Sequence, residues 1–308
     1  MISWKVKRPM KTNNKYAFFP GCLIPTRYPH LEYVARLILS QIGIELVDVD
    51  EFTCCSDPIQ FKGADRLTWL AIAARNICLA EEMGLNILTL CNGCVNTLTT
   101  ANHMLKSESE LRGKVNRILF NTGHQFKGEV EIKHFLQAIV DDIGIGRLGS
   151  YARTPLRGLK VATHTGCHLA SPEDVLNFDD PIDPKVLDSL VAALGAEPVD
   201  YDLKSLCCGV GFSLSSKLDA SSRLLKDKLE NMKEYEADCI VVGCPFCYQQ
   251  FDLGQIAASR KNKFDFKLPV LYYLQILGLA MGYTLNEVQY GTHRIKDEGF
   301  EKQLTLEG

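Results

Sequence analysis

Cysteine is the residue type whose spacing stands out in this chain. Two groups of five share one arrangement, in which a cysteine after a glycine is followed by a vicinal pair and then by two cysteines separated by two residues. The first set is Cys22, Cys54, Cys55, Cys91 and Cys94, and the second set is Cys167, Cys207, Cys208, Cys244 and Cys247. In both sets, 35 residues separate the vicinal pair from the next cysteine of the same set. Ten of the twelve cysteines therefore belong to a duplicated pattern.

Five thiolates in a set favour a metal cluster over a single ion. Structural zinc takes four ligands at the corners of a tetrahedron. Vicinal cysteines have Cα atoms ~3.8 Å apart and side chains that diverge, so they suit two different metal atoms. An ordinary cubane cluster also needs four cysteines rather than five. The spacing points to an iron–sulfur cluster of unusual form in each half, with a duplicated zinc-stabilised interaction module as the alternative.

Two histidines flank Cys167 and are candidate catalytic residues. Imidazole titrates near neutral pH, so His164 or His168 could protonate a leaving thiolate. A structural hydrogen bond is the alternative role for each, and a position on the loop rather than in the strand favours His168. The two cysteines outside the sets, Cys78 and Cys239, are expected to be small buried apolar residues.

Each cysteine group follows an apolar stretch that is typical of a strand. Predicted strands cover residues 15–20, 44–49 and 86–90 in one half, and 159–163, 198–201 and 238–242 in the other. Helices are predicted between them, for example over residues 65–83. This alternation predicts an α/β fold of two pseudo-symmetric repeats, each a small parallel sheet with helices. The cysteine loops would then lie together at the carboxyl ends of the strands.

The chain divides by composition into four parts. We expect an N-terminal arm at residues 1–14, a first cysteine-rich domain at 15–150, a second at 151–290 and a polar C-terminal tail at 291–308. The arm and the tail are candidate docking segments. Residues 144–149 spell Gly-x-Gly-x-x-Gly, but no strand is predicted before them, so a dinucleotide fingerprint is excluded.

Charge and hydropathy exclude several classes of protein. The net charge is −3, from 34 basic and 37 acidic residues, which gives no general attraction to nucleic acid. The longest apolar run, at residues 268–281, falls short of the ~18 residues of a membrane span. No signal-peptide pattern is apparent. We therefore expect no transmembrane segment and a cytoplasmic location, where thiols are kept reduced.

The duplicated cysteine pattern resembles the cysteine-rich domain of the B subunit of heterodisulfide reductase, and the resemblance covers residues 15–280. The family is named for Cys-Cys-Gly; Cys207-Cys208-Gly209 fits, whereas Cys54-Cys55-Ser56 departs from it, which affects loop shape more than ligation. The resemblance implies two noncubane [4Fe–4S] clusters, one held by the five cysteines of each set.

The resemblance also implies an activity and partners. The expected reaction is reductive cleavage of the coenzyme M–coenzyme B mixed disulfide to two thiols, the disulfide being the oxidant left by methane formation. The implied partners are the ferredoxin-type C subunit and the flavoprotein A subunit of heterodisulfide reductase, with an upstream hydrogenase or formate dehydrogenase. The wider family leaves an alternative, an iron–sulfur electron-transfer subunit of a hydroxyacid or quinone oxidoreductase.

Overall fold

Strands and helices alternate through both halves of the computed structural model, which describes residues 14–262 and 264–306. The predicted N-terminal arm, apart from residue 14, lies outside this part. In order, the first half contains β1 (Lys15–Phe19), α1 (Leu23–Arg27), α2 (Pro29–Gln41), β2 (Glu45–Asp48), α3 (Gln60–Ala64), α4 (Arg66–Met83), β3 (Asn86–Thr89), α5 (Asn92–Ser107), α6 (Ser109–Phe120), β4 (Ile132–His134), α7 (Phe135–Ala138), a π-helical turn (Ile139–Ile143) and α8 (Ile145–Leu148).

The second half repeats this order with shorter elements near its start. It contains β5 (Lys160–His164), α9 (Cys167–Ala170), α10 (Glu173–Leu176), α11 (Val186–Ala192), β6 (Glu197–Pro198), α12 (Val210–Leu214), α13 (Leu218–Glu234), β7 (Cys239–Val242), α14 (Pro245–Asn262), β8 (Val270–Tyr272), α15 (Tyr273–Ala280), a 3₁₀ turn (Tyr290–Thr292) and α16 (Glu298–Leu306).

The two halves build the same parallel sheet. The strand orders are β2-β1-β3-β4 and β6-β5-β7-β8. The register also repeats, because Phe19 pairs with Thr89 in one sheet and His164 pairs with Val242 in the other. The predicted α/β fold of two pseudo-symmetric repeats is confirmed. In such a sheet, loops that leave the carboxyl ends of neighbouring strands share one edge.

Local sequence explains where α4 begins and ends. The Asp65 carboxylate accepts a hydrogen bond from the Thr68 N–H at the first turn, as an N-cap does. Gly84 closes the helix in the left-handed conformation, with φ of +64°. The helix predicted over residues 65–83 is therefore present, from Arg66 to Met83.

The halves share one core. Helix α15 of the second half is buried along its length and packs against α2 of the first half. The two helices approach closely at Gly278, where an added Cβ would lie 3.1 Å from Ile38 Cδ1. No helix in the described ranges is both long and apolar enough to cross a bilayer.

Some elements differ from the sequence predictions. Strand β6 has two residues rather than four, and its Pro198 has no N–H for a longer ladder. The polar segment predicted as a tail at 291–308 packs onto the fold over its described part. Phe300 of α16 is buried, and the N–H groups of Arg294 and Ile295 donate to Asp252. These two N–H groups satisfy a buried carboxylate of α14. The domain boundaries stay predictions.

Candidate metal centre

The structure brings the five cysteines of each set together at the edge of its sheet. The first set follows β1, β2 and β3, and the second set follows β5, β6 and β7. Most of these cysteines lie in loops, but Cys94, Cys167 and Cys247 lie in the first turns of α5, α9 and α14. Neighbouring thiols interact in the order Cys22, Cys54, Cys55, Cys94, Cys91. The second set follows the same order: Cys167, Cys207, Cys208, Cys247, Cys244, with 3.5 Å between the Sγ atoms of Cys208 and Cys247.

The two sets also meet each other. Cys91 of the first set and Cys244 of the second are close enough for each thiol to shift the pKa of the other. The ten thiols therefore form one continuous chain across both halves. Sequence spacing predicts two sites, but their contact is a finding of the tertiary structure.

Two glycine turns place the first cysteine of each set. Gly21 and Gly166 have φ of +73° and +83°, in the region that favours glycine. An added Cβ would lie 3.0 Å from Cys94 Sγ at Gly21, and 2.6 Å from Asn92 Nδ2 at Gly166. Glycine is thus required at both turns by backbone conformation and by space.

Helix α5 of the first half holds the cysteine loop of the second half. The Asn92 side-chain amide donates to the Thr165 carbonyl at 2.7 Å. The Asn96 amide donates to the carbonyls of His168 and Ser171 at 3.1 and 2.7 Å. Neither asparagine is predicted from the sequence, because each occupies what looks like an ordinary polar position of a helix.

A second pair of residues supports the point where the sets meet. His134 and Tyr272 end β4 and β8 and occupy equivalent positions before α7 and α15. His134 Nε2 donates to the Gly243 carbonyl at 3.1 Å. The Tyr272 hydroxyl lies within hydrogen-bond distance of the carbonyls of both Gly243 and Leu90. Leu90 and Gly243 immediately precede Cys91 and Cys244, so these side chains position the central thiols from both sides. The sequence signal available for them was a repeated motif directly after β4 and β8, Phe135-Leu136-Gln137 and Tyr273-Leu274-Gln275.

Each set has an exposed side and a buried side. Cys22, Cys54 and Cys167 are exposed and Cys207 is half-buried, whereas the other six are buried. An open cleft over the first set is lined by Cys22, Cys54 and, from the second half, Phe246. A molecule from solvent can therefore reach the leading two cysteines of a set.

The crowded thiols perturb one another in the same way in both halves. Hydrogen bonds from Cys22 and Cys55 lower the pKa of Cys54 to about 2. Those from Cys167 and Cys208 lower the pKa of Cys207 to about 2. The pKa values of the partners rise, Cys208 to about 12, first because Cys207 competes for the proton. Metal cations remove this conflict, since coordinated thiols are deprotonated. The donor set therefore fits a multi-iron cluster.

The two candidate histidines lie in different surroundings. His168 is half-buried in the first turn of α9 rather than in a loop, and its Nδ1 lies 3.3 Å from Cys167 Sγ. His164 is buried, and burial lowers its pKa to about 3, so its ring is neutral. One of its nitrogens lies within 4.8 Å of the sulfurs of Cys208 and Cys247. Cys78 and Cys239 are buried in α4 and β7.

The chain is similar to known proteins over most of its length. The cysteine-rich domain family matches residues 16–99 and 161–252. A relative from Methanosarcina acetivorans, the B subunit of ferredoxin/F420H2-dependent CoB-CoM heterodisulfide reductase, is 41% identical over 93% of this chain and 95% of its own. The 8-methylmenaquinol:fumarate reductase membrane anchor subunit of Wolinella succinogenes is 31% identical over 89% of this chain and 94% of its own.

A solved structure shares the fold. The crystal structure of a hypothetical protein from Helicobacter pylori aligns with a TM-score of 0.76, covering 94% of this chain and 53% of that chain. The sequence identity is 16%, so the likeness concerns the fold alone.

Proposed function

Because the chain belongs to the cysteine-rich family that includes the B subunit of heterodisulfide reductase, we propose that it is the catalytic subunit of such a reductase. Its substrate would be the coenzyme M–coenzyme B disulfide, which takes up two electrons and two protons to give two thiols. The proposal is carried by one observation: two complete five-cysteine sets lie in contact, each with an exposed side.

The cofactors of this proposal are two noncubane [4Fe–4S] clusters. The first set would hold one cluster and the second set the other. Five thiols per set, including a vicinal pair, support a cluster with more ligand sites than a cubane uses. When bound, the clusters would supply the electrons and the iron atoms that take up the sulfurs of the disulfide. The chain itself orients them through the glycine turns, α5, His134 and Tyr272.

Residues around the two sets suggest where the disulfide approaches and which side chain donates a proton to the product. The exposed cysteines Cys22, Cys54 and Cys167 mark where the disulfide approaches. His168, beside Cys167, is the proposed proton donor to a product thiolate. Burial lowers the pKa of His164 and favours its neutral ring, so we place the proton donor at His168 rather than at the other candidate, His164.

The electrons would come from other proteins. We propose the ferredoxin-type C subunit and the flavoprotein A subunit of heterodisulfide reductase as partners, fed by a hydrogenase or a formate dehydrogenase. The name of the Methanosarcina relative, which includes ferredoxin, supports a ferredoxin-linked supply. The reducing cytoplasm suits a chain whose twelve cysteines are all free thiols.

Anaerobic purification followed by an assay tests the proposal. We expect about eight irons per chain, four for each cluster. Reduced viologen dye should be oxidised when the coenzyme M–coenzyme B disulfide is added and not when either thiol is added. A protein with full iron that leaves the disulfide intact refutes the substrate. A colourless protein with stoichiometric zinc refutes the clusters.

One observation favours a second function. The Wolinella relative, matched over nearly its whole length, is named as part of a menaquinol:fumarate reductase. The alternative is therefore an iron–sulfur electron-transfer subunit of a quinone or hydroxyacid oxidoreductase. Cluster reduction by a quinol, lactate or glycolate through a partner flavoprotein, without disulfide turnover, would select it.

A further inference from the structure

The two cysteine sets differ in the residue that ends the strand before each glycine turn. Phe19 and His164 occupy the same register in β1 and β5. The Phe19 ring packs against Phe52, with 5.0 Å between ring centroids. His164 instead places a ring nitrogen within 4.8 Å of the sulfurs of Cys208 and Cys247. A ring that can donate a hydrogen bond in the second half thus replaces an apolar ring in the first.

Neither ring nitrogen of His164 makes a hydrogen bond of normal geometry with the described residues, although the Lys204 carbonyl lies near enough to act on the ring. Only 2% of the residue is exposed, and both ring nitrogens are buried without a partner. Buried polar groups are normally hydrogen-bonded, so an unpartnered one indicates a group that binds there. The sulfurs of a cluster held by Cys208 and Cys247 would supply that partner.

Lys228 adds a buried cation to the second half. It lies on α13 with 1% of its surface exposed. Its Nζ donates to the carbonyls of Leu203, Lys204 and Leu206, just before the vicinal pair. These three bonds use all donors of the ammonium. Burial lowers its pKa to about 8, which leaves it mostly protonated at neutral pH, and the thiols of the second set are the charges that oppose this shift.

The first half has no matching buried cation among its described residues at this place. Arg75 is the equivalent residue, since it and Lys228 each lie 20 positions after the second cysteine of their vicinal pair. Arg75 donates to the Glu51 carbonyl at 2.9 Å, but it is only half-buried and the bond is exposed. The neutral Asn76 holds the buried part of the loop by accepting from the Thr53 N–H. Solvent screens an exposed guanidinium far more than a buried ammonium.

We propose that the second set holds its cluster at a higher reduction potential than the first set, because His164 and Lys228 stabilise the reduced state. Reduction adds one electron and hence one negative charge, with no bond made or broken. Hydrogen bonds to cluster sulfurs and nearby positive charge both raise the potential. An electron delivered to either set by an external reductant therefore resides on the second. The inference rests on the proposed clusters but not on the proposed substrate.

A potentiometric titration tests the order of the potentials. The iron-loaded chain is reduced stepwise with dithionite and mediators, without either coenzyme, and followed by electron paramagnetic resonance. Signals are assigned with Cys54→Ser and Cys208→Ser, one for each set. We expect the second-set signal at the higher potential. An equal or lower potential for the second set overturns the proposal.

Swapping the differing residues tests the cause. His164→Phe gives the second half the residue of the first, and should lower the second-set potential. A tenfold change in the one-electron equilibrium corresponds to ~59 mV. Phe19→His should raise the first-set potential in return. If neither substitution moves its potential, His164 is only structural and the proposal fails.

Lys228 variants separate charge from packing. Lys228→Met should lower the second-set potential by at least ~59 mV, which is a tenfold change in the one-electron equilibrium. Lys228→Arg keeps the cation and should retain most of the original potential. Arg75→Met is the matched control and should move neither potential. Should Lys228→Met fail to bind iron, the His164 and Phe19 exchanges still decide. A chain that leaves the disulfide intact but shows the second-set signal at the higher potential refutes the proposed substrate and supports this inference.

Discussion

Replacing Gly166 with alanine should damage the second site through a defined contact. At φ +83° and ψ 136° a side-chain-bearing residue costs about 1–3 kcal/mol. The new Cβ would also stand 2.6 Å from Asn92 Nδ2, which donates to the Thr165 carbonyl. Losing that buried bond costs a further ~1–3 kcal/mol. We expect Gly166→Ala to lower the free energy of unfolding by about 2–6 kcal/mol through these combined effects.

Gly144 provides a matched control for the backbone part of this cost. It has nearly the same conformation, φ +86° and ψ 134°, but nothing lies within 4 Å of an added Cβ. Gly144→Ala should therefore show the conformational cost without the clash. Asn92→Ala in the Gly166→Ala background should recover part of the loss, because it removes the obstructing amide.

The assay compares denaturant midpoints of the iron-loaded chains under anaerobic conditions, together with their iron content. Gly166→Ala should unfold earlier than Gly144→Ala and lose iron from the second set first. Equal midpoints for the two variants, with no recovery by Asn92→Ala, would show that the Asn92 side chain does not hold this turn. The inferred contact between the halves would then contribute nothing to the second site.

Three further outcomes follow from the site and the core. Cys208→Ser should reduce the iron content from about eight to about four per chain; loss of all iron would show that the halves fold as one unit, and unchanged iron would remove Cys208 from the ligand set. Tyr272→Phe should cost ~1–3 kcal/mol in a denaturant titration, because the Leu90 carbonyl loses the buried hydroxyl and the Gly243 carbonyl keeps only His134. Tyr273→Phe, which loses a bond to Leu190 at 3.2 Å, is the control and should cost less. Burial lowers the pKa of His293 to about 3. Below pH ~6.5 the unfolded chain therefore protonates this histidine while the folded chain does not, and stability should fall as the pH drops. Unfolding midpoints at pH 7 and 5 should differ less for His293→Gln than for the parent chain.

Most of the secondary structure around the cysteines could be predicted from the sequence. Helix α4 could be placed because its sequence is rich in the helix formers Ala and Leu, and because Gly84 is a local signal for the end of a helix. The strands before each cysteine group could be placed because buried parallel strands are continuous apolar runs. Predictions were weakest where tertiary contacts determine the local structure, as for the two-residue β6 and the packed segment after residue 291.

The sequence by itself determined the duplication, the sheet class and the ten cysteines that converge, since spacing and periodicity are local properties of the chain. Only the tertiary structure decided that Cys91 meets Cys244, that Asn92 holds the opposite half, and that Lys228 is buried. A lysine on an amphipathic helix is expected to be surface charge. Whether it meets water or three carbonyls depends on packing between residues far apart in the chain, which no local pattern encodes.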